Sequence, residues 1–587
     1  MRRVVRAAAA VLLLCGAASC APTQIGSWLL ARKLGARSGE YGVGIERAVA
    51  LKAADGVTLV ADVYHPQPAG RTPTILVRLP YSQSFSNKFF ATVVGRFWAE
   101  RGYTAVIQGT RGRYQSGGTY SPFRYERQDG IDTLRWITRQ AWSDGRIGTW
   151  GGSYFGYTQW VVADQENPGP SALMIQISST SFYDMFYPGG AFSLESALMW
   201  AVQSAGPDDE WPARDVLEAG YQGFPLVQAD DRAFKDISFF NDWALHSQRD
   251  EYWRAVDGED RAERLAAPVL LMAGWYDPFL PSQVRDFASI KRKGRPEVAS
   301  ASRLIIGPWA HAHSVNSPGM NPKNYRVESL EHSVPWFDEH LRSGRSVFDA
   351  PIRLYVMGEN IWRNEEQWPL ERTRYTPFYL DSRGRANSSA GDGGLLRGVS
   401  APEEYADNFV YDPRDPVPTA GGAMIGPRGG IASQNEIEKR SDVLVYSTPV
   451  LEQDVEATGP VKAILFVSTS TPHTDFTAKL VDVHPDGSTY NISEGILRRK
   501  YEPSNRPVPI EIDLWPTSML FRRGHRIRLE ISSSNYPRFD RNPNTGREIA
   551  TETNPITASQ IVYHGPENPS RLILPWIPRP TASHATK

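Results

Sequence analysis

Short apolar runs and segments of helical spacing alternate along the first part of the chain. The runs TILVRLPY, GYTAVIQGT and ALMIQIS are typical of strands buried on both faces of a sheet. Between them, the segment ERQDGIDTLRWITRQAW has apolar residues at helical spacing, namely Ile131, Leu134, Trp136 and Ile137. Strands and helices in alternation predict a mostly parallel sheet with helices on both faces.

Two changes of pattern divide this α/β region. Before the sheet, Asp55-Gly56 separates two strand-like runs and predicts a hairpin. Residues 181–262 then read as helices rich in aromatic residues, for example FFNDWALHSQRDEYWRAV, before strand-like runs resume with PVLLMAGWYD and RLIIGPWAH. This order predicts a helical insertion between two parts of one α/β domain, residues 41–180 and 263–345. Such an insertion would lie over the carboxyl ends of the strands, where ligands bind in open α/β sheets.

Beyond residue 346 the pattern is that of strands and turns. HRIRLEIS alternates polar and apolar residues, and DFTAKLVDVHPDGSTYNIS predicts a hairpin around Pro485-Asp486-Gly487. Residues 346–580 are therefore predicted to form an all-β sandwich or jelly roll.

Length and charge narrow the class of protein. At 587 residues the chain exceeds what one hydrophobic core usually organises, so two or three structural units are expected. The 64 Lys and Arg residues nearly balance 65 Asp and Glu residues, giving a net charge of −1. Since the chain also has no long basic run and no nucleic-acid motif, no nucleic-acid partner is predicted.

Residues 1–20, MRRVVRAAAAVLLLCGAASC, have the pattern of an export signal. Arginines precede an apolar run over residues 7–18, which is short of the roughly 20 residues that a membrane helix needs. AASC is similar to the bacterial lipoprotein box, in which Cys20 would be lipidated, although Ala17 stands where that box usually has leucine. We expect an envelope lipoprotein, with ordinary cleavage to a secreted or periplasmic protein as the alternative. Membrane contact is expected only through such an anchor, and the chain's two cysteines both lie in this segment, so the mature domains have no disulfide.

The stretch RIGTWGGSYFGYTQW places a serine on a corner between a strand and a helix candidate. A nucleophile in such strained backbone needs small neighbours, and Gly151 and Gly152 precede Ser153. The generic motif has glycine two residues after the serine, where this chain has Phe155 followed by Gly156. We interpret Ser153 as a catalytic nucleophile.

An acid and a base follow in the order known for α/β-hydrolases. Asp277 comes directly after PVLLMAGWY and His311 directly after RLIIGPWA. Either residue alone is more often structural, but all three at strand ends in this order favour a Ser-His-Asp triad. His313 would make an H-x-H pair with His311, yet no further ligands stand nearby, and the calcium-loop-like stretch DRNPNTG has Thr545 where such a loop needs glycine. No metal and no cofactor is therefore predicted.

An oxyanion hole needs two donors. The backbone N–H of Tyr154, directly after the nucleophile, is one candidate. The hydroxyl of Tyr81, in VRLPYSQS, is the other, although a buried tyrosine bonded locally is an equal alternative.

The stretches GTWGGSYFGYTQW, GWYDPF, GPWAH and LPY together resemble the cocaine-esterase-like hydrolases, the CocE/NonD family. This group also contains α-amino acid ester hydrolases, glutaryl-cephalosporin acylases and, more distantly, X-prolyl dipeptidyl-peptidases. The resemblance implies an α/β-hydrolase domain with a helical cap and a carboxyl-terminal jelly roll. It implies that Ser153 is the nucleophile, that His311 is the general base and then the acid, and that Asp277 orients His311.

The resemblance also implies roles for four further positions. The Tyr81 hydroxyl and the Tyr154 N–H would hold the oxyanion. Trp200 and Phe279 match positions that line the acyl pocket, with ordinary packing as the alternative.

The predicted function is hydrolysis of a small-molecule carboxylic ester, or an amide, through an acyl-enzyme. Asp277 is followed by PFLPSQ, without a carboxylate, and the acids of GPDDEW are expected to be solvated, so recognition of a substrate ammonium is disfavoured. The alternatives are an X-prolyl dipeptidyl-peptidase-type amide hydrolase, an envelope acyltransferase and a non-catalytic surface protein that binds carbohydrate. The sequence sets no oligomeric state.

Overall fold

The computed structural model describes residues 21–33, 35–82, 84–311, 331–399 and 403–579. The predicted export signal and Cys20 lie outside these residues, as does His313.

A mixed sheet of ten strands forms the centre of the first domain. In chain order the strands are β1 (Gly42–Lys52), β2 (Thr58–Gln67), β3 (Thr72–Leu79), β4 (Thr104–Gly109), β5 (Ser143–Gly152), β6 (Ala172–Gln176), β7 (Val269–Tyr276), β8 (Arg303–Ala310), β9 (Ile352–Val356) and β10 (Ile361–Glu365). Their order in space is β1-β2-β4-β3-β5-β6-β7-β8-β9-β10. The strands from β4 to β9 pair in parallel, and β1, β2 and β10 add antiparallel edges.

Helices cover the sheet and form the predicted insertion. They are α1 (Ala21–Lys33), α2 (Phe85–Ala99), α3 (Glu126–Thr138), α4 (Tyr154–Trp160), α5 (Tyr183–Phe186), α6 (Leu194–Ala205), α7 (Arg214–Gly220), α8 (Ala229–Ala233), α9 (Ser238–Leu245), α10 (Glu251–Arg254), α11 (Leu280–Lys293), α12 (Pro296–Ala301) and α13 (Ser333–Arg342). Short 3-10 helices lie at Pro188–Gly190, Leu226–Gln228, Glu259–Arg261 and Ile437–Lys439. Helices α5 to α10 make up the cap. None of the helices that the structure describes is long and apolar enough to cross a bilayer.

The central strands lack the alternation of a half-exposed strand. Every side chain of β4 and β7 is buried, because helices pack on both faces of the sheet. Fully buried tryptophans on α2, α4 and α13 fill the layers between sheet and helices, namely Trp98, Trp160 and Trp336.

The second domain consists of strands in a sheet of eleven. These are β11 (Arg374–Asp381), β12 (Gly394–Leu396), β13 (Tyr405–Tyr411), β14 (Leu444–Ser447), β15 (Val455–Thr469), β16 (His473–Val483), β17 (Thr489–Lys500), β18 (Ser504–Phe521), β19 (Arg526–Ser532), β20 (Ala558–His564) and β21 (Arg571–Ile577). The fold class predicted from the sequence, an α/β-hydrolase domain with a helical cap and a carboxyl-terminal all-β jelly roll, is confirmed.

The local predictions can be compared with the strand pairing. Strands β1 and β2 form the hairpin predicted at Asp55-Gly56, and β16 and β17 form the one predicted at Pro485-Asp486-Gly487. At residue 346, however, the first sheet does not end: β9 pairs in parallel with β8 and β10 with β9. The mixed sheet therefore takes in residues up to Glu365.

Candidate active site

Ser153 forms a sharp corner between β5 and α4. Its φ of 56° and ψ of −126° place a residue with a side chain in a strained region of backbone conformation. The Ser153 N–H donates to the Gln176 carbonyl at 3.0 Å, and the Ser153 carbonyl accepts from the N–H groups of Gly156 and Tyr157 at 3.0 Å each. These bonds hold the corner rigidly, which is the geometry of a nucleophile elbow.

The glycines around the corner explain its unusual spacing. Gly151 has a φ of 144°, and a Cβ there would collide with the Phe155 ring. A Cβ at Gly156 would lie 2.6 Å from the Cβ of Ser178. Helix α4 thus lies closest to Ser178 at position 156. Glycine is needed there, whereas position 155 accommodates the Phe155 side chain.

The structure brings the three predicted triad residues together. Asp277 and His311 each follow the last residue of a strand, β7 and β8, and these strands are neighbours in the sheet. His311 Nε2 lies 2.9 Å from Ser153 Oγ, and His311 Nδ1 lies 2.7 Å from Asp277 Oδ2. The other carboxylate oxygen of the fully buried Asp277 accepts from the Phe279 N–H at 2.8 Å. This arrangement can transfer a proton from Ser153 to His311 and stabilise the resulting imidazolium.

The side chain of Tyr154 is buried and hydrogen-bonded, and its backbone N–H is the first one of helix α4. The phenol donates to Glu126 Oε1 at 2.6 Å and accepts from the Phe123 N–H at 2.9 Å. Burial raises the pKa of Tyr154 well above its ordinary value, and the carboxylate of Glu126 raises it further. Because the first N–H groups of a helix have no intrahelical acceptor, the Tyr154 N–H can donate to a ligand beside Ser153.

Tyr81 lies on the loop that follows β3. Its carbonyl accepts from the Tyr114 N–H at 2.9 Å, and its ring packs edge-on against Phe155, with centroids 6.1 Å apart. Burial raises the pKa of the Tyr81 hydroxyl, and the nearby Asp209 carboxylate adds to the shift. The hydroxyl therefore remains a hydrogen-bond donor at neutral pH.

The cap loop GPDDEW contains Asp209, an acid that was predicted to be solvated but is buried. The side chain of Asp209 is only 4% exposed. Its carboxylate accepts from the Ser82 N–H and from Asn87 Nδ2, the latter at 3.1 Å, and lies 3.5 Å from Arg113 Nη1. Asp209 thus fastens the cap to the segment that carries Tyr81. The sequence gives no local signal for this contact, because it joins residues far apart in the chain.

Trp200 and Phe279 belong to one connected group of rings, the aromatic cluster, formed by Phe123, Phe182, Trp200, Trp243 and Phe279. Phe279 lies 5.8 Å from the His311 ring and 5.1 Å from Phe182. Trp200 lies 5.4 Å from Phe123 and stacks on Trp243 at 5.1 Å. The ring centroids of Phe123 and Phe182 are 4.3 Å apart, which connects the Phe279 end of the cluster with the Trp200 end. The aromatic-rich pattern of residues 181–262 is the signal for Phe182 and Trp243, whereas nothing local in the sequence indicates Phe123.

Of the two stretches weighed for metal ligation, only the calcium-loop-like one lies among the described residues. The calcium-loop-like stretch does not offer Asp540 as a free ligand, because its carboxylate pairs with Arg498 Nη1 at 2.9 Å. Within the described residues, one group of three potential metal ligands is found, and it lies in the β domain.

Comparison with protein families matches both domains. Residues 55–313 match the family described as X-Pro dipeptidyl-peptidase (S15 family), and residues 348–573 match the X-Pro dipeptidyl-peptidase C-terminal non-catalytic domain. A relative named cocaine esterase, from Rhodococcus sp., is 38% identical over 588 aligned residues, which cover 92% of this chain and all of the relative.

Solved structures share the same architecture. An aminopeptidase from a Thaumarchaeota archaeon superimposes with a TM-score of 0.77 at 24% identity, covering 92% of this chain and 97% of the other. An α-amino acid ester hydrolase gives a TM-score of 0.75 at 23% identity, covering 92% and 98%. At these identities the likeness shows the fold.

Proposed function

Because the chain belongs to the cocaine-esterase-like (CocE/NonD) family and is a serine-type hydrolase of ester or amide bonds, we propose that it hydrolyses a carboxylic ester through an acyl-enzyme on Ser153. The observation that carries the proposal is the chain of contacts from Ser153 Oγ through His311 to the buried Asp277. An activated serine hydroxyl has no use in a passive scaffold.

The mechanism follows from the atoms in contact. Ser153 Oγ attacks the ester carbonyl while His311 Nε2 accepts its proton, and the Tyr154 N–H and the Tyr81 hydroxyl donate to the oxyanion. As the tetrahedral intermediate collapses, His311 gives the proton to the leaving alkoxide, and the acyl group stays on Ser153. Water then attacks the acyl-enzyme while His311 accepts its proton, and His311 returns that proton to Ser153 Oγ as the acid leaves.

Tyr81→Phe is expected to lower kcat by about 10²–10³-fold, because it removes one oxyanion donor while leaving the ring in place. KM should change far less, since the bond is strongest in the transition state. Tyr114→Phe is the matched control, because the Tyr114 hydroxyl bonds to Asp62 at 3.1 Å and has no place in the mechanism. Steady-state kinetics on one p-nitrophenyl ester compare the three proteins. An unchanged kcat in Tyr81→Phe would remove Tyr81 from the oxyanion hole.

The acyl group is proposed to be aromatic or apolar. Support comes from the aromatic cluster, which reaches from the His311 ring to the cap. Among p-nitrophenyl esters we expect kcat/KM for the benzoyl ester to exceed that for the acetyl ester by about tenfold or more, because additional apolar contacts of the larger acyl group stabilise its transition state. Aminoacyl esters and X-Pro p-nitroanilides belong in the same panel. A preference for either of these would contradict the proposal and favour a peptidase-type function.

We also propose that the enzyme acts in the cell envelope, held by a lipid on Cys20. The pattern of residues 1–20 supports this, and so does α1, which directly follows and leaves Ile25, Trp28 and Leu29 exposed on one face. Basic residues end the same helix, at Arg32 and Lys33, as expected beside an anionic membrane surface. Mass spectrometry of the protein purified from its own cells tests the proposal. Mature chains that carry no lipid and begin at a residue other than Cys20 would contradict it.

A further inference from the structure

A second cluster of reactive side chains lies in the β domain, at one end of neighbouring strands. Asp482 is near the end of β16, and His484 follows in the turn to β17. His525 stands in the turn between β18 and β19, and the pairing of Val483 with Arg526 brings the two turns side by side. One ligand atom from each of Asp482, His484 and His525 lies within 4.8 Å of the other two.

The contacts within this cluster centre on one carboxylate. His525 Nδ1 lies 2.9 Å from Asp482 Oδ1 and 3.1 Å from Oδ2, and His484 Nε2 lies 3.2 Å from Oδ2. The two imidazole rings are in contact, with centroids 4.4 Å apart and planes tilted by 41°. Both histidines therefore direct a ring nitrogen to the same carboxylate group from two different turns.

The charge of Asp482 is what makes the cluster unusual. Its side chain is 2% exposed, and among the described residues its ion-pair partners are these two histidines, without a lysine or arginine. A buried carboxylate is costly unless a positive charge compensates it. A protonated imidazole or a divalent cation can supply that charge, and a cation would engage ligand atoms of all three residues at once.

Backbone hydrogen bonds fix the two turns that carry the histidines. The backbone N–H of His484 donates to the Ser488 carbonyl at 2.8 Å, and the backbone N–H of His525 donates to the Arg522 carbonyl at 3.0 Å. The His525 carbonyl accepts from the Leu451 N–H at 2.8 Å. Since both histidine side chains remain partly exposed, an ion can enter from solvent and keep a water ligand.

We propose that Asp482, His484 and His525 bind one divalent transition-metal ion, with Zn²⁺ as the expected occupant. Two imidazoles and one carboxylate suit Zn²⁺, whereas Ca²⁺ and Mg²⁺ prefer sites made of oxygen alone. The ion links two turns of the β domain. The site does not depend on the proposed function, and hydrolysis at Ser153 does not require the ion.

The test measures Zn²⁺ binding to the metal-stripped full-length mature protein by calorimetry, with Co²⁺ absorbance as a second probe. We expect one ion per chain, a higher melting temperature with Zn²⁺, and unchanged ester hydrolysis. His484→Ala and His525→Ala should each weaken binding by more than about tenfold, since each removes a ligand. His246→Ala is the control. His246 contacts Asp250 at 2.5 Å but, among the described residues, belongs to no group of three potential ligands, so its loss should leave binding unchanged.

Three results would overturn the proposal. The wild-type protein could fail to bind Zn²⁺ at all, or His484→Ala and His525→Ala could both bind it as wild type does. Binding that His311→Ala removes, and the two β-domain variants retain, would place the ion at the catalytic histidine instead. Circular dichroism of each variant, with His484→Gln as a milder replacement, separates a lost ligand from a lost fold.

Discussion

Ser153→Ala is expected to lower kcat on the order of 10⁶-fold, the scale seen when a serine hydrolase loses its nucleophile. Without Oγ no acyl-enzyme forms, and His311 Nε2 loses the hydroxyl that lies 2.9 Å away. Folding should be retained, because the backbone bonds that shape the corner do not involve the side chain. Hydrolysis of a p-nitrophenyl ester measures the loss.

Ser171→Ala is the matched control for this variant. Ser171 precedes β6 at the opposite end of the sheet, where its Oγ accepts from the Ile147 N–H at 3.2 Å. Its replacement should leave turnover near that of the wild type. A folded Ser153→Ala protein that retains full turnover would remove Ser153 from the mechanism.

Asp277→Asn should lower kcat by about 10⁴-fold, because the amide cannot hold His311 in the required tautomer or stabilise its charged form. This substitution removes the negative charge of the Asp277 side chain and keeps its shape. Asp277 is fully buried, and one of its oxygens accepts from the Phe279 N–H, a bond that asparagine can retain. Steady-state kinetics and a denaturant unfolding curve separate loss of turnover from loss of stability.

Asp286→Asn tests whether any buried aspartate on this side of the sheet has the same effect. Asp286 is on α11, and its carboxylate accepts from the Thr180 N–H at 3.0 Å and from the Thr180 hydroxyl at 2.7 Å. Burial raises the pKa of Asp286 to about 6. We expect this variant to keep kcat within about tenfold of wild type, since it does not touch His311. Equal losses in the two variants would make Asp277 a structural residue.

The proximity of Ser153, Asp277 and His311 could be predicted from the sequence because the topology of the sheet dictates it. Strands β5, β6, β7 and β8 are consecutive neighbours and run in parallel, so their carboxyl ends meet at one edge of the sheet. A serine, an aspartate and a histidine placed directly after three of these buried runs must then lie close together. The local sequence pattern and the order of the strands along the chain were sufficient to predict that these three residues lie together.

Contacts between distant segments could not be predicted in this way. Asp209 has the local sequence of a solvated loop acid, and only the packing of the cap onto the Tyr81 segment buries it. Strands β9 and β10 have the strand pattern of the β domain but hydrogen-bond to the first sheet. His484 and His525 stand in two separate turns, and nothing local in the sequence shows that these turns meet.

Labelling of the mature protein with a fluorophosphonate, followed by peptide mapping, shows directly which residue is the nucleophile. We expect one covalent adduct per chain, located on the peptide that contains Ser153, together with complete loss of ester hydrolysis. The adduct should be absent in Ser153→Ala, the variant that is itself expected to lack ester hydrolysis. An adduct on another residue, or an active protein that takes up no label, would contradict the claim that Ser153 is the nucleophile.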